Sequence, residues 1–121
     1  MKKILIADDE QSLRILVRAT LGENEYQVLE ATDGNQALAL ARAEHPDMLL
    51  LDVAMPGPSG FEVCEKLKSD PETNHIKVVM LTAWAQQSNR EHGLAVGADH
   101  YLIKPFSPLE LLRLVTKLAG S

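Results

Sequence analysis

Five short apolar runs recur along the chain, and more polar segments separate them. The runs occupy residues 3–7, 26–31, 47–51, 76–81 and 99–103. Their apolar residues mostly follow one another instead of alternating with polar ones, which is typical of strands that helices cover on both faces of a parallel sheet. The pattern therefore predicts five buried strands.

The segments between these runs have the periodicity of amphipathic helices. Segment 11–21 is the clearest, because its apolar side chains recur at i, i+3, i+4 and i+8 and Gly22 follows as a stop signal. Segments 34–44 and 60–69 repeat the pattern. Segment 86–96 is polar and contains a central glycine, so we expect it to be the weakest helix.

Capping residues mark where the helices begin. Asp33 and Ser59 are the predicted N-caps of the second and third helices. The last helix has the strongest start signal, since the sequence Ser-Pro-Leu-Glu at 107–110 combines a capping box with proline at the first helical position. Five βα units in succession predict a single α/β domain over residues 1–121, a doubly wound parallel sheet with right-handed crossovers.

Charge and cysteine content narrow the functional classes. Twelve basic and seventeen acidic residues give a net charge of -5, which disfavours direct binding to nucleic acid because phosphate contacts need a basic surface. The apolar runs are too short to span a bilayer. Cys64 is the only cysteine, so no internal disulfide can form. We therefore expect a cytoplasmic protein with neither nucleic acid nor membrane as a partner.

Four of the predicted strands end in residues that can bind a phosphate or a metal. Asp8 and Asp9 follow the first strand, Asp52 the third, Thr82 the fourth and Lys104 the fifth. In doubly wound sheets, ligands bind at the carboxyl ends of the strands, near the point where the strand order reverses. We therefore expect these side chains to form one site.

The residue types in this site indicate phosphoryl chemistry. Three clustered carboxylates can stay ionised when a divalent cation lies among them, and oxygen ligands favour Mg²⁺, with Mn²⁺ as an alternative, over zinc. Lys104 offers a positive charge to a phosphate, and Thr82 offers a hydroxyl donor. His45, His75 and His92 show no paired ligand spacing, so we do not expect a zinc site.

Five short motifs occur in order along the chain. They are IADDE at 6–10, DVAMPG at 52–57, LTA at 81–83, GAD at 97–99 and YLIKPF at 101–106. Together, at this spacing, they resemble the receiver domains of two-component response regulators over essentially the whole chain. The resemblance implies a flavodoxin-like (βα)5 fold with strand order 2-1-3-4-5.

The resemblance also implies roles for the acidic residues. Asp52 would be the phosphoacceptor, which attacks the phosphohistidine of a sensor histidine kinase or a histidine phosphotransfer protein. Asp9 and Asp52 would bind Mg²⁺ directly, Asp8 mostly through water, and Ala54 through its backbone carbonyl. The protein would be a signalling domain and not an enzyme, although it would assist its own phosphorylation and dephosphorylation.

The remaining motif residues would form a switch. Lys104 would pair with the phosphoryl group, Thr82 would move toward it, and Tyr101 would follow inward. The peptide bond between Lys104 and Pro105 is expected to be cis, as is typical of the family.

The output of the switch would be a change at one face of the domain. Segment 86–96, strand 99–103 and the last helix would form this face, and a downstream output domain or protein would read it. Dimerisation through the last helix is compatible with the resemblance.

Two residues bear on the lifetime of the phosphorylated state. Ala54 is too small to hydrogen-bond a hydrolytic water, and Trp84, two residues after Thr82, is larger than the family's usual residue. Two interpretations of Trp84 remain open. It either covers the mouth of the site and slows the loss of phosphate, or is a partly exposed loop aromatic.

Three other functions fit parts of the pattern. A small Mg²⁺-dependent phosphohydrolase could use an aspartyl phosphate, but the chain shows no cap domain. A flavodoxin-like cofactor binder would need a phosphate-binding loop after the first strand, where the chain is acidic instead. A third alternative is a receiver that signals by protein contacts without phosphorylation. The presence of all the residues expected for phosphoryl acceptance argues against it.

Overall fold

The computed structural model describes residues 2–22, 26–83 and 95–119. Trp84 and nearly all of the helix predicted at 86–96 lie outside these residues. The described residues form a five-stranded parallel sheet with the order β2-β1-β3-β4-β5, which confirms the predicted fold class and strand order. The strands are β1 (Lys2–Ala7), β2 (Tyr26–Ala31), β3 (Met48–Asp52), β4 (Lys77–Thr82) and β5 (His100–Ile103).

The helices within the described residues begin close to the predicted positions. The Asp33 side chain accepts a hydrogen bond from the Gln36 N–H at 2.8 Å, so it is the N-cap that the sequence predicts. Gly22 is the last residue of its helix and not the first residue after it. The described helices are α1 (Gln11–Gly22), α2 (Gly34–Glu44), α3 (Gly60–Ser69) and α4 (Pro108–Ala119).

Two apolar layers cover the sheet, one on each face. Alternate residues of β1 show the division: Leu5 packs with α2 and α3, whereas Ile4 packs with α1 and α4. Every residue of β3 is buried, as expected for a central strand with helices on both sides. Within the part of the chain that the structure describes, no helix is long and apolar enough to cross a membrane.

The strand register brings the carboxyl ends of the strands to one edge. Ala7 pairs with Leu51, Asp52 follows Leu51, and Thr82 pairs with Ile103, which Lys104 follows. The polar residues that end the apolar runs therefore meet at this edge, as the sequence predicts.

The first residue of α3 packs tightly against the end of β3. A Cβ atom on Gly60 would lie 2.4 Å from the backbone oxygen of Asp52 and 2.8 Å from the Val53 Cα. Real Cβ atoms do not approach so closely, and backbone atoms cannot move aside as a flexible side chain can. Glycine at position 60 thus lets α3 begin beside the strand end where Asp52 lies.

Candidate functional site

Three aspartates converge where β1 and β3 end. Asp8 is fully buried, Asp52 is 5% exposed, and Asp9 is exposed. Each offers a carboxylate oxygen, and these oxygens lie within 4.8 Å of one another. Across residues 2–22, 26–83 and 95–119, this is the only group of three or more acidic, histidine or cysteine side chains with metal-binding spacing.

Asp8 is held on both of its carboxylate oxygens. Oδ1 accepts a hydrogen bond from the Glu10 N–H at 2.9 Å, and Oδ2 accepts one from Lys104 Nζ at 2.8 Å. The Asp8 N–H donates to the Ala31 carbonyl at 3.1 Å, which continues the pairing of β1 with β2 past the strand end. The buried carboxylate is thus fixed by a backbone donor and a cation.

Asp52 lies in a site that disfavours its charge. Its Oδ1 accepts a hydrogen bond from the Ala54 N–H at 3.2 Å and lies 3.4 Å from Lys104 Nζ. Burial, followed by the neighbouring charge of Asp8, raises the pKa of Asp52 to about 6, although Lys104 and the Ala54 N–H act in the opposite direction. A further cation near Asp52 would favour its ionised form.

Lys104 connects β5 to the acidic cluster. Its N–H donates to the Thr82 carbonyl at 2.7 Å, and its peptide bond with Pro105 is cis, as expected. Burial alone would lower the pKa of Lys104, but the hydrogen bond to Asp8 and the charges of Asp52, Asp8 and Glu10 outweigh it, so the pKa is raised. The side chain therefore stays cationic beside the aspartates.

A cavity of about 330 Å³ opens onto this cluster. Thr82 is nearly fully buried and lines the cavity, so the structure brings it together with the acidic residues as predicted. Tyr101 does not line the cavity; its half-buried ring packs against the apolar layer beneath α2 and α3. The cavity is lined by Asp9, Glu10, Asp52, Val53, Ala54, Thr82, Ala83 and Lys104.

The donor set fits Mg²⁺ or Mn²⁺ and not a softer metal. Three carboxylates and the backbone near Ala54 supply only oxygen ligands, which hard divalent cations prefer. A single lysine does not balance the charge of three aspartates. The residues present therefore both fit a divalent cation and would be stabilised by one.

Some contacts at and near the site carry no signal in the sequence. Glu10 lines the cavity with an oxygen 3.8 Å from Lys104 Nζ, and the Arg14 guanidinium donates to the Asp8 carbonyl at 2.9 Å. Away from the site, the rings of His45 and His75 stack with centroids 6.1 Å apart. Spacing along the chain did not predict this pair, because the two residues meet only through the fold.

Comparison with known proteins places these observations in a family. Residues 4–116 match the family described as the response regulator receiver domain. The chain is 45% identical over 111 residues to PhoB, the phosphate regulon transcriptional regulatory protein of Pseudomonas aeruginosa. The match covers 92% of this chain and 48% of PhoB. The chain likewise spans less than half the length of several other curated relatives.

Solved structures agree with the sequence matches. The chemotaxis response regulator CheY4 of Vibrio cholerae superposes with a TM-score of 0.93 at 36% identity, over 98% of each chain. The receiver domain of the sensor histidine kinase PA1611 of Pseudomonas aeruginosa, solved with a magnesium ion in its active site cleft, gives a TM-score of 0.90 at 30% identity, over 99% of this chain and 98% of that one. The chain therefore belongs to the response regulator receiver domain family.

Proposed function

We propose that this receiver domain accepts a phosphoryl group on Asp52, with Mg²⁺ as cofactor, from the phosphohistidine of a sensor histidine kinase or a histidine phosphotransfer protein in the cytoplasm. The observation that carries the proposal is the convergence of the Asp8, Asp9 and Asp52 carboxylates beside Lys104, at a cavity that Asp9, Asp52 and Lys104 line. Receiver domains are signalling domains, so the product is a change of conformation and not a released compound.

The contacts of the aspartates support a division of roles at the metal. In this proposal Asp9, Asp52 and the Ala54 carbonyl would bind Mg²⁺ directly. Asp8 would act mostly through water, because both of its oxygens already accept hydrogen bonds from Glu10 and Lys104. When bound, Mg²⁺ would supply positive charge against the carboxylates and the incoming phosphoryl group.

The transfer itself needs little beyond positioning and charge neutralisation. A carboxylate oxygen of Asp52 attacks the phosphorus, the new O–P bond forms, and the P–N bond to the donor imidazole breaks with its electron pair leaving on nitrogen. Lys104 counters the negative charge of the phosphoryl oxygens, and the Thr82 hydroxyl donates a hydrogen bond to one of them. The Ala54 N–H holds the Asp52 carboxylate in place.

The proposed switch passes through the connection between β4 and β5. Thr82 and Lys104 are joined by a hydrogen bond between their backbones, so a phosphoryl group that engages both side chains acts on both strand ends. Tyr101 would then move inward, and the face formed by β5 and α4 would change; segment 86–96, which the sequence also assigns to this face, lies almost wholly outside the described residues. Phosphorylation biases an equilibrium between two states, which an output domain, a separate protein or a second copy of the chain would read.

Intact-mass spectrometry after treatment with acetyl phosphate and MgCl₂ tests the proposal. One added phosphoryl group is expected on the wild-type protein and none on Asp52→Ala. Asp70→Asn is the matched control, since Asp70 lies at the end of α3, away from the cavity, and asparagine can still accept the hydrogen bond from the Glu72 N–H. The absence of added mass on the wild type, or its persistence in Asp52→Ala, would contradict the proposal.

A further inference from the structure

The turn that carries Asp8 and Asp9 is held from outside the acidic cluster by an arginine of α1. Arg14 Nη1 donates to the backbone carbonyl of Asp8 at 2.9 Å, and the Arg14 N–H donates to the Glu10 carbonyl at 3.2 Å. One residue thus bonds to the backbone on both sides of Asp9.

The guanidinium is itself fixed by β2. Arg14 Nε lies 3.2 Å from Glu30 Oε1, and the Arg14 side chain is only 14% exposed. Arg18, one turn further along α1, bonds to the other oxygen of Glu30. A planar guanidinium can hold two acceptors in a set geometry, which a lysine ammonium on a flexible stem does less well.

We infer that Arg14 is a positioning residue for the metal site: its guanidinium, anchored by Glu30, fixes the Asp8-Asp9 turn and so raises the affinity of the acidic cluster for Mg²⁺. The inference rests on the proposed function, because it assumes that Mg²⁺ is the ion that the cluster binds. The Arg14 guanidinium bonds to the backbone carbonyl of Asp8 and not to the Asp8 carboxylate. It therefore acts on the backbone that positions the proposed metal ligands.

The charge of Arg14 and its positioning contact have opposite expected effects on the affinity of the cluster for Mg²⁺. Removal of a cation near three carboxylates makes the cluster more negative, so a charge effect alone would strengthen Mg²⁺ binding. Loss of a positioning contact would weaken it, by about tenfold if Arg14 acts as outer-shell groups of metal sites commonly do. The sign of the change therefore separates the two roles.

Arg14→Gln, Arg14→Lys and Arg18→Gln test the inference in the complete chain. Arg18→Gln is the matched control, because it removes the same charge from the same helix and also loses a bond to Glu30, but Arg18 does not contact the Asp8 carbonyl. Dissociation constants come from titration of metal-free protein with MgCl₂, followed by the chemical shifts of backbone amides. Thermal unfolding in excess EDTA shows whether each variant is folded.

The expected result is Mg²⁺ binding about tenfold weaker in Arg14→Gln, a comparable loss in Arg14→Lys, and little change in Arg18→Gln. Unchanged or tighter binding in Arg14→Gln would overturn the inference, as would full rescue by lysine or an equal loss in Arg18→Gln. If Arg14→Gln does not fold, Arg14→Lys alone tests the inference. Lysine keeps the positive charge but lacks the planar guanidinium, so weaker Mg²⁺ binding in this variant would reflect the lost positioning contact.

A second measurement does not depend on the metal. The Glu10 N–H is bonded to Asp8 Oδ1 within the turn, so its hydrogen exchange in EDTA reports how firmly the turn is held. Faster exchange is expected in both Arg14 variants and not in Arg18→Gln; unchanged exchange would overturn the inference. A wild-type protein that binds no Mg²⁺ would refute the proposed function, while this readout would still decide the role of Arg14.

Discussion

Lys104 Nζ lies 2.8 Å from Asp8 Oδ2, so the lysine that follows β5 is paired with the buried carboxylate that follows β1. The distance from the same nitrogen to Asp52 Oδ1 is longer, at 3.4 Å. Without a metal, Lys104 is thus the cation that compensates Asp8, and only secondarily Asp52. Under the proposed function, Mg²⁺ would add positive charge beside Asp8, and Lys104 would then be available to a phosphoryl group.

Lys104→Met should therefore destabilise the metal-free protein and make it more responsive to Mg²⁺. The substitution leaves Asp8 buried without its cation, which costs on the order of 3 kcal/mol of unfolding free energy. Denaturant unfolding in EDTA and in excess MgCl₂ measures both effects. The stabilisation by Mg²⁺ should be larger in Lys104→Met than in the wild type.

Lys117→Met is the control for this experiment, because Lys117 is an exposed lysine of α4. It should change the unfolding free energy by a few tenths of a kcal/mol at most, as is usual for an exposed charge near a helix end. Equal effects of the two substitutions would show that the pairing of Lys104 with Asp8 contributes nothing specific.

Asp52→Asn should stabilise the metal-free protein at neutral and alkaline pH. The pKa of Asp52 is about 6 in the folded protein against 3.8 ordinarily, so the folded state holds its proton more tightly than the unfolded state. The contribution of this group to stability is present below pH 3.8 and is lost as the pH rises through 6. Asparagine cannot ionise and should avoid that loss, which is worth roughly 1–3 kcal/mol.

Unfolding free energies in EDTA between pH 4 and 8 check this sign. The difference between Asp52→Asn and the wild type should grow with pH, and it should shrink when Mg²⁺ is added, because the cation favours the ionised carboxylate. Asp70→Asn, the same substitution at a residue away from the cavity, is the control. A difference that falls as the pH rises would mean that Asp52 is stabilised, not penalised, as a carboxylate.

The sequence predicts the sheet and its polar edge because those features follow from local pattern. A buried strand needs consecutive apolar residues, and the polar residue that ends the apolar run is the first that a ligand at the sheet edge can meet, as at Asp52 and Lys104. Parallel pairing then brings the strand ends together. Thr82 is predicted at the site for the same reason, because it follows the apolar run 76–81.

Contacts that depend on side-chain direction escape such reasoning. Arg14 belongs to the polar face of an amphipathic helix by its spacing, and nothing in that spacing shows that it bonds to the Asp8 carbonyl. His45 follows the C-terminal end of α2 and His75 lies in the segment before β4, so the two rings are brought together only by the fold. Likewise, only the fold shows that Lys104 Nζ lies closer to Asp8 than to Asp52.

Gly60→Ala should lower both stability and the rate of phosphorylation. The new Cβ would lie 2.4 Å from the Asp52 carbonyl, so α3 or the end of β3 must shift, at a cost of about 1–3 kcal/mol. Gly22→Ala is the matched control, since a Cβ there meets nothing within 4 Å. It should be neutral or stabilising by up to about 1 kcal/mol. Thermal unfolding and acetyl phosphate kinetics measure the two effects.

The reactivity of Cys64 offers an independent view of how firmly α3 is seated. Its thiol is fully buried, its Sγ lies 3.5 Å from the Val96 carbonyl, and burial raises its pKa to about 11. At pH 8 only roughly a thousandth of the thiol is then ionised, so a disulfide reagent should react far more slowly with the native protein than with the denatured one. Because Gly60 and Cys64 share α3, Gly60→Ala should accelerate the native reaction, whereas Gly22→Ala should not. Equal rates in the two variants would show that the crowding at Gly60 is relieved locally, without displacement of the helix.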